Sequence, residues 1–255
     1  MLIGARLIDG LHVTEHVVGE PAEGPLPLVL SLHGRGGLPE LPFSHSTRPC
    51  RVLVPRGPFA LGDGFAWSSH YAREVSHAEL SRELGESADR LRTVVESVSA
   101  DREVTGAAIV LGYSQGGMTA LALATRHPEL FRAAVVGAAW LPAGLQPANA
   151  PGSSLQIRMA HGESDEIVPF DRARALALRM EAIGFDVELR SFVGVDHAGS
   201  PEMTALLGAW RDQAIARASG SAGHEIPELG RRAEGGGPTE PASWWKRVQK
   251  ALWDL

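Results

Sequence analysis

Several protein classes are excluded by what this chain has little of. Cysteine occurs once, as Cys50, so no internal disulfide can form, and the composition fits a reducing compartment. Positive charge is not in excess: 24 Lys and Arg face 30 Asp and Glu, giving a formal net charge of −6. That balance argues against a nucleic-acid partner, because phosphate binding needs a basic surface. No stretch approaches the roughly eighteen apolar residues of a membrane span. The first ten residues include Asp9 and have no basic segment leading into a long apolar run, so no signal peptide is expected. A soluble, cytoplasmic protein is the expectation. No pair of histidines or acids has metal-ligand spacing in a fitting context, so no metal is expected.

What is present reads as one large globular domain followed by an appendage. The chain has 255 residues, 44% hydrophobic and 21% charged, enough for a sizeable buried core. Short apolar runs alternate with longer helical patterns, which points to an α/β fold with a mostly parallel central sheet and helices on both faces. Strands are expected at 27–32, 51–54, 107–111, 133–139, 155–160 and 187–192. Between Val75 and Val98, Leu80, Leu84, Ala88, Leu91, Val94 and Val95 recur at helical spacing. Further helices are expected from the residues after Ser114 to about His127-Pro128, over Asp171 to Ile183, and over Pro201 to Ala216.

After Ala216 the composition shifts to Gly, Pro, Ser, Glu and Ala without apolar period, so 217–242 reads as a flexible linker. It leads to an amphipathic helix over 243–255, with Ser243 as N-cap and Trp245, Val248, Leu252 and Leu255 on one face. Three tryptophans with Lys246, Arg247 and Lys250 suit docking in cis, a homodimer contact or a peripheral membrane contact. The catalytic body is expected to be residues 1–216.

Gly112-x-Ser114-x-Gly116 is the constellation that carries chemistry. A serine hydroxyl is a poor nucleophile until a base takes its proton, so it must project from a sharp turn toward a histidine. The motif follows an apolar strand and opens a helix, which is the setting that gives it meaning. The acid is expected after a later strand: Asp165 lies in the loop beyond Ala160, with Glu163, Glu166 and Asp171 as alternatives nearby. The base is expected last, and His197 follows the strand ending at Phe192, with Asp196 beside it read as a loop residue. The order Ser, Asp, His is that of the α/β-hydrolase fold. Two backbone N–H donors must face the developing oxyanion. Gln115, just after the nucleophile, is one, and the turn His33-Gly34-Arg35-Gly36-Gly37 offers the other, with the Arg35 amide favoured.

The segments Gly-Tyr-Ser-Gln-Gly-Gly, Leu-His-Gly-Arg-Gly-Gly, His-Gly-Glu-Ser-Asp-Glu-Ile-Val-Pro and Gly-Val-Asp-His together resemble the phospholipase/carboxylesterase family of α/β-hydrolases. That family includes acyl-protein thioesterases and small bacterial carboxylesterases. The resemblance runs from about Leu26 to Ala216. It implies a triad of Ser114, Asp165 and His197, the Arg35 and Gln115 amides as oxyanion donors, no large lid and no cofactor. Its implied partner is a small-molecule ester or thioester. One departure is the short stretch from Gly37 to Arg51, interrupted by Pro39, Pro42 and Pro49, where the family's first helix is expected to be stunted or absent. An apolar pocket wall is expected from Leu38, Trp67, Met118, Leu141 and Val168. The competing reading is a non-catalytic binding or assembly protein on a hydrolase scaffold, working through its aromatic C-terminal helix.

Overall fold

The apolar runs become the strands of one eight-stranded sheet in a computed structural model, which describes residues 1–19, 24–41, 48–71, 77–150, 152, 154–221 and 226. The chain opens with a hairpin, β1 (Leu2–Ile8) and β2 (Leu11–Val18), that the sequence reading passed over. Its signal is local. Asp9 and Gly10 both take positive φ, 47° and 76°, which is the two-residue turn an Asp-Gly pair favours. Leu11, Val13 and Glu15 then alternate inward with outward-facing neighbours.

The parallel body follows as β3 (Leu28–Leu32), β4 (Cys50–Pro55), β7 (Ala108–Tyr113), β8 (Phe131–Gly137), β9 (Gln156–Gly162) and β10 (Asp186–Phe192). A small hairpin, β5 (Phe59–Leu61) and β6 (Gly64–Ala66), stands apart from the sheet. The order is β1-β2-β4-β3-β7-β8-β9-β10, and only the pairings made by β2 are antiparallel. The strand after β3 lies on one side of it, and β7 lies on the other. Connections leaving in opposite directions open a crevice at the carboxyl ends of β3 and β7, where ligands collect in open α/β sheets.

Helices α1 (His77–Asp101), α2 (Gln115–Arg126), α3 (Phe170–Ala182) and α4 (Pro201–Ala218) cover the sheet. Successive strand residues divide between two cores, as a pleat requires. Leu28, Leu30, Val110 and Val136 pack in one core with Leu84 and Leu91 of α1, Leu121 of α2 and Leu176 of α3. Val29, Ile109, Val135 and Ala160 pack in the other with Met203, Leu206 and Trp210 of α4. Helix α4 starts where its capping chemistry dictates: the Ser200 hydroxyl accepts the Met203 N–H at 3.1 Å, and Pro201 occupies the first turn. It runs to Ala218, so Arg217 and Ala218 belong to the helix and not to the expected linker. Ile226 packs against the second core. Residues 222–225 and 227–242 of the expected linker and the whole of 243–255 lie outside the described residues. No helix among the described residues is long and apolar enough to cross a membrane.

Candidate active site

Ser114 sits between β7 and α2 with φ 54° and ψ −125°, a strained conformation for a residue with a Cβ. Its surroundings leave room only for glycine. A Cβ on Gly112 would stand 2.3 Å from the Gly116 carbonyl oxygen, and one on Gly116 would stand 2.4 Å from that of His33. The turn is held to the sheet by the Ser114 N–H, which donates to the Gly137 carbonyl at 2.9 Å. The outcome is a hydroxyl held at the carboxyl edge of the sheet.

His197 arrives from the loop after β10. Its Nε2 is 2.9 Å from Ser114 Oγ, and its Nδ1 is 2.7 Å from Asp165 Oδ2. The carboxylate accepts only, so Nδ1 carries the proton and Nε2 presents a lone pair to the hydroxyl. The Tyr113 hydroxyl donates to the His197 carbonyl at 2.8 Å, tying the histidine loop to the residue before the serine. Gly162 lets the acid loop and the histidine loop pass closely, since a Cβ there would meet the Val195 carbonyl at 2.2 Å. Asp196 caps its own loop by accepting the Ala198 N–H.

Asp165 is the acid that reaches His197, while Glu163, Glu166 and Asp171 are exposed. It is 5% exposed, and both its oxygens are engaged. Oδ1 accepts the Ile167 and Val168 N–H groups at 2.9 and 2.7 Å. Oδ2 takes His197 and is approached at 3.4 Å by Nε2 of His161. Burial alone would push this carboxyl up, but the hydrogen bonds from His161, His197 and the Val168 N–H outweigh it and hold the group well below the usual carboxylate range. Asp165 is therefore held in its ionised form at neutral pH.

His161 is a site residue that sequence reasoning missed, although it opens the His-Gly-Glu-Ser-Asp segment. It is 1% exposed, and its Nε2 also faces the Val168 carbonyl at 2.8 Å. With two acceptors in front of it, Nε2 carries the proton. Nδ1 is buried without a hydrogen-bond partner among the described residues.

Around the other side of Ser114, Gln115 and the Arg35 turn are locked by a second network. The Gln115 side chain accepts the Trp67 N–H at 2.8 Å and donates to the Ser68 carbonyl at 3.2 Å. The Trp67 indole N–H donates to the His33 carbonyl at 2.8 Å. His33 accepts the Gly57 N–H at Nε2 and donates from Nδ1 to the Gly34 carbonyl, and burial pushes its pKa down, so it stands neutral. The β5–β6 hairpin clamps the turn through Gly36 N–H to Phe65 O and Phe65 N–H to Gly37 O, at 2.8 and 3.0 Å. Among the described residues, neither the Arg35 nor the Gln115 backbone N–H meets a backbone acceptor.

The expected pocket wall needs correction. Trp67, Met118, Leu141 and Val168 are no more than 3% exposed and belong to the core, so they offer little surface to a ligand, and Leu38 is 49% exposed. A groove elsewhere on the carboxyl side is lined by Trp140, the neighbour of Leu141, and by both apolar and polar residues of α1, α3 and the stretch after β8. Among the described residues, no group of three His, Cys, Asp or Glu side chains is placed to hold a metal ion.

The family model of phospholipases and carboxylesterases matches residues 14–208, which take in every residue of this site. The chain belongs to the phospholipase/carboxylesterase family. NocK of Nocardia uniformis subsp. tsuyamanensis is 32% identical over 184 residues, covering 68% of this chain and 49% of that protein. Acyl-protein thioesterase 1 of Gibberella zeae is 34% identical over 103 residues, covering 37% of this chain and 43% of that protein. This phospholipase/carboxylesterase-family chain thus spans about half the length, or less, of these curated relatives. The crystal structure of esterase PE8 superposes with a TM-score of 0.66 at 18% identity, covering 80% of this chain and 99% of that one, which speaks for the fold.

Proposed function

We propose that this chain is a serine hydrolase that cleaves carboxylic ester or thioester bonds of small acyl substrates through an acyl-Ser114 intermediate. The observation that carries the reading is the hydrogen-bonded series from Ser114 Oγ to His197 Nε2, 2.9 Å, and from His197 Nδ1 to Asp165, 2.7 Å. Ser114 Oγ attacks the carbonyl carbon while Nε2 of His197 takes its proton. Asp165, held ionised, stabilises the imidazolium that forms and keeps its ring in register. The tetrahedral oxyanion is received by the Arg35 and Gln115 N–H groups. His197 then gives its proton to the departing alkoxide or thiolate, and water repeats the sequence on the acyl-enzyme. Family membership supports ester and thioester bonds as the class of substrate.

The test is hydrolysis of p-nitrophenyl esters from acetate to palmitate, and of a thioester series, by wild type and Ser114→Ala side by side. The variant should lose at least roughly a thousandfold in kcat, as expected when the nucleophile of a triad is removed. Equal activity in the two proteins would overturn the reading.

A further inference from the structure

Beside the proposed catalytic serine lies a groove of about 270 Å³ between the residues that follow β8, the start of α1 and the outer face of α3. The Gly137 carbonyl accepts the Ser114 N–H at 2.9 Å, and Trp140 is three residues further along, so chain reach holds it within about 14 Å of the serine backbone. On the other side, α3 begins directly after the loop that carries Asp165 and Val168.

Its apolar lining, Trp140, Ala143, Ala175 and Leu176, is joined by four polar side chains. Arg172 and Arg179, two turns apart on α3, both face the groove, together with His77 and Gln146. No acidic residue is among the described residues that line it. The Arg172 guanidinium lies over the Trp140 ring, 4.7 Å from its centre, and the His77 ring meets the same indole at 5.3 Å. Stacking holds the guanidinium by its face and leaves its edge N–H donors turned to the groove. Arg179 donates weakly to the Pro147 carbonyl at 3.4 Å. Among the described residues neither arginine has a carboxylate partner, in a chain whose net charge is −6. Two uncompensated guanidiniums converging on one small groove form a receptor for an anion, and a planar carboxylate matches their forked donors.

We propose that this groove receives a carboxylate carried by the substrate whose scissile carbonyl lies at Ser114, so that the chain selects acidic esters or thioesters over neutral ones. The inference rests on the hydrolase reading above and names the substrate class for that same site.

Matched pairs of substrates, each an acid and its neutral methyl ester, test it. Mono-p-nitrophenyl glutarate against its methyl ester places the carboxylate on the acyl side. 4-Carboxyphenyl butyrate against its methyl ester places it on the alcohol side. Ser114→Ala supplies the correction for spontaneous hydrolysis. Wild type should prefer the charged member of one pair in kcat/KM. In Arg172→Met/Arg179→Met, which keeps an apolar stem over Trp140, that charged-to-neutral ratio should fall roughly tenfold, with the change in KM. The preference should also weaken at high salt. If wild type cleaves the neutral esters through Ser114 and both ratios are the same in the arginine variant, this inference fails and the hydrolase reading survives. If wild type turns over none of these esters, nor any of the p-nitrophenyl or thioester series, the hydrolase reading fails and takes this one with it.

Discussion

Replacing Glu15 by Gln should destabilise the protein by about 2–3 kcal/mol at neutral pH and by much less in acid. Glu15 points inward from β2, is 2% exposed, and bonds to Arg6 of β1 at 3.0 Å, to Arg102 beyond α1 at 2.9 Å, and to Arg51 of β4. One carboxylate thereby joins two neighbouring strands to the end of the longest helix. Burial alone would raise its pKa, but the hydrogen bonds from Arg102 and Arg6 and the charges of Arg102 and Arg51 prevail and bring it from 4.5 to about 2. At 1.36 kcal/mol per pH unit that gap is worth about 3 kcal/mol. Water screens the pairs with Arg6 and Arg102, whose side chains are 27% and 35% exposed, and trims the figure toward about 2. A folded-state pKa below the unfolded value gives stability that is complete above about pH 5 and lost as pH falls toward 2. For a chain of this size the loss at pH 7 corresponds to a fall of roughly 5–10 °C in Tm. Urea unfolding followed by circular dichroism at pH 7, 5, 4 and 3 measures it. The difference between wild type and Glu15→Gln should shrink to about half or less by pH 3, whatever the other carboxylates do to both proteins in parallel. A difference below about 0.5 kcal/mol at pH 7, or one that does not change with pH, would refute the argument.

Two further substitutions probe the residues that hold the proposed triad in place. His161→Phe removes the N–H that faces Asp165 and lets its pKa rise. With one donor fewer on it, Asp165 holds the His197 ring less firmly, and kcat/KM at pH 7 should fall by about tenfold. His161→Gln, whose amide can donate from the same place, should restore much of it, and pH-rate profiles of the three proteins decide the matter. Tyr113→Phe deletes the hydroxyl that holds the His197 carbonyl at 2.8 Å. Steady-state kinetics should show kcat down by about three- to tenfold with KM little changed, and an unaltered kcat would show that the loop is held by other contacts.

Ser114, Asp165 and His197 were legible because each follows an apolar strand that stops at a turn. The chain order alone placed them on one edge of a parallel sheet. The helix around Leu80 to Val98 was legible because a long periodic segment buries one face and must keep its register, and the strands 107–111 and 155–160 because a short apolar run covered on both faces has no solvent side. The β1–β2 hairpin was missed despite its Asp-Gly turn, because a third of its strand positions carry His, Thr, Glu or Arg and its outer strand is mostly exposed. The pocket wall was misjudged because apolarity marks a residue for burial without saying whether it faces a ligand or the core. Trp67 went to the core, where its indole and backbone latch the Arg35 turn to Gln115.

By itself, then, the sequence determined the α/β class, the strand-turn-helix setting of Ser114 and the loops that bear Asp165 and His197. These depend on local periodicity and on where glycine is the only residue that fits. Tertiary structure alone decided which acid reaches the imidazole, that His161 stands behind it, that Glu15 gathers three arginines, and that Arg172 and Arg179 share one groove with Trp140. Those relations join residues from different elements, as far as 87 positions apart for Glu15 and Arg102, and no local pattern records a contact that only packing brings about.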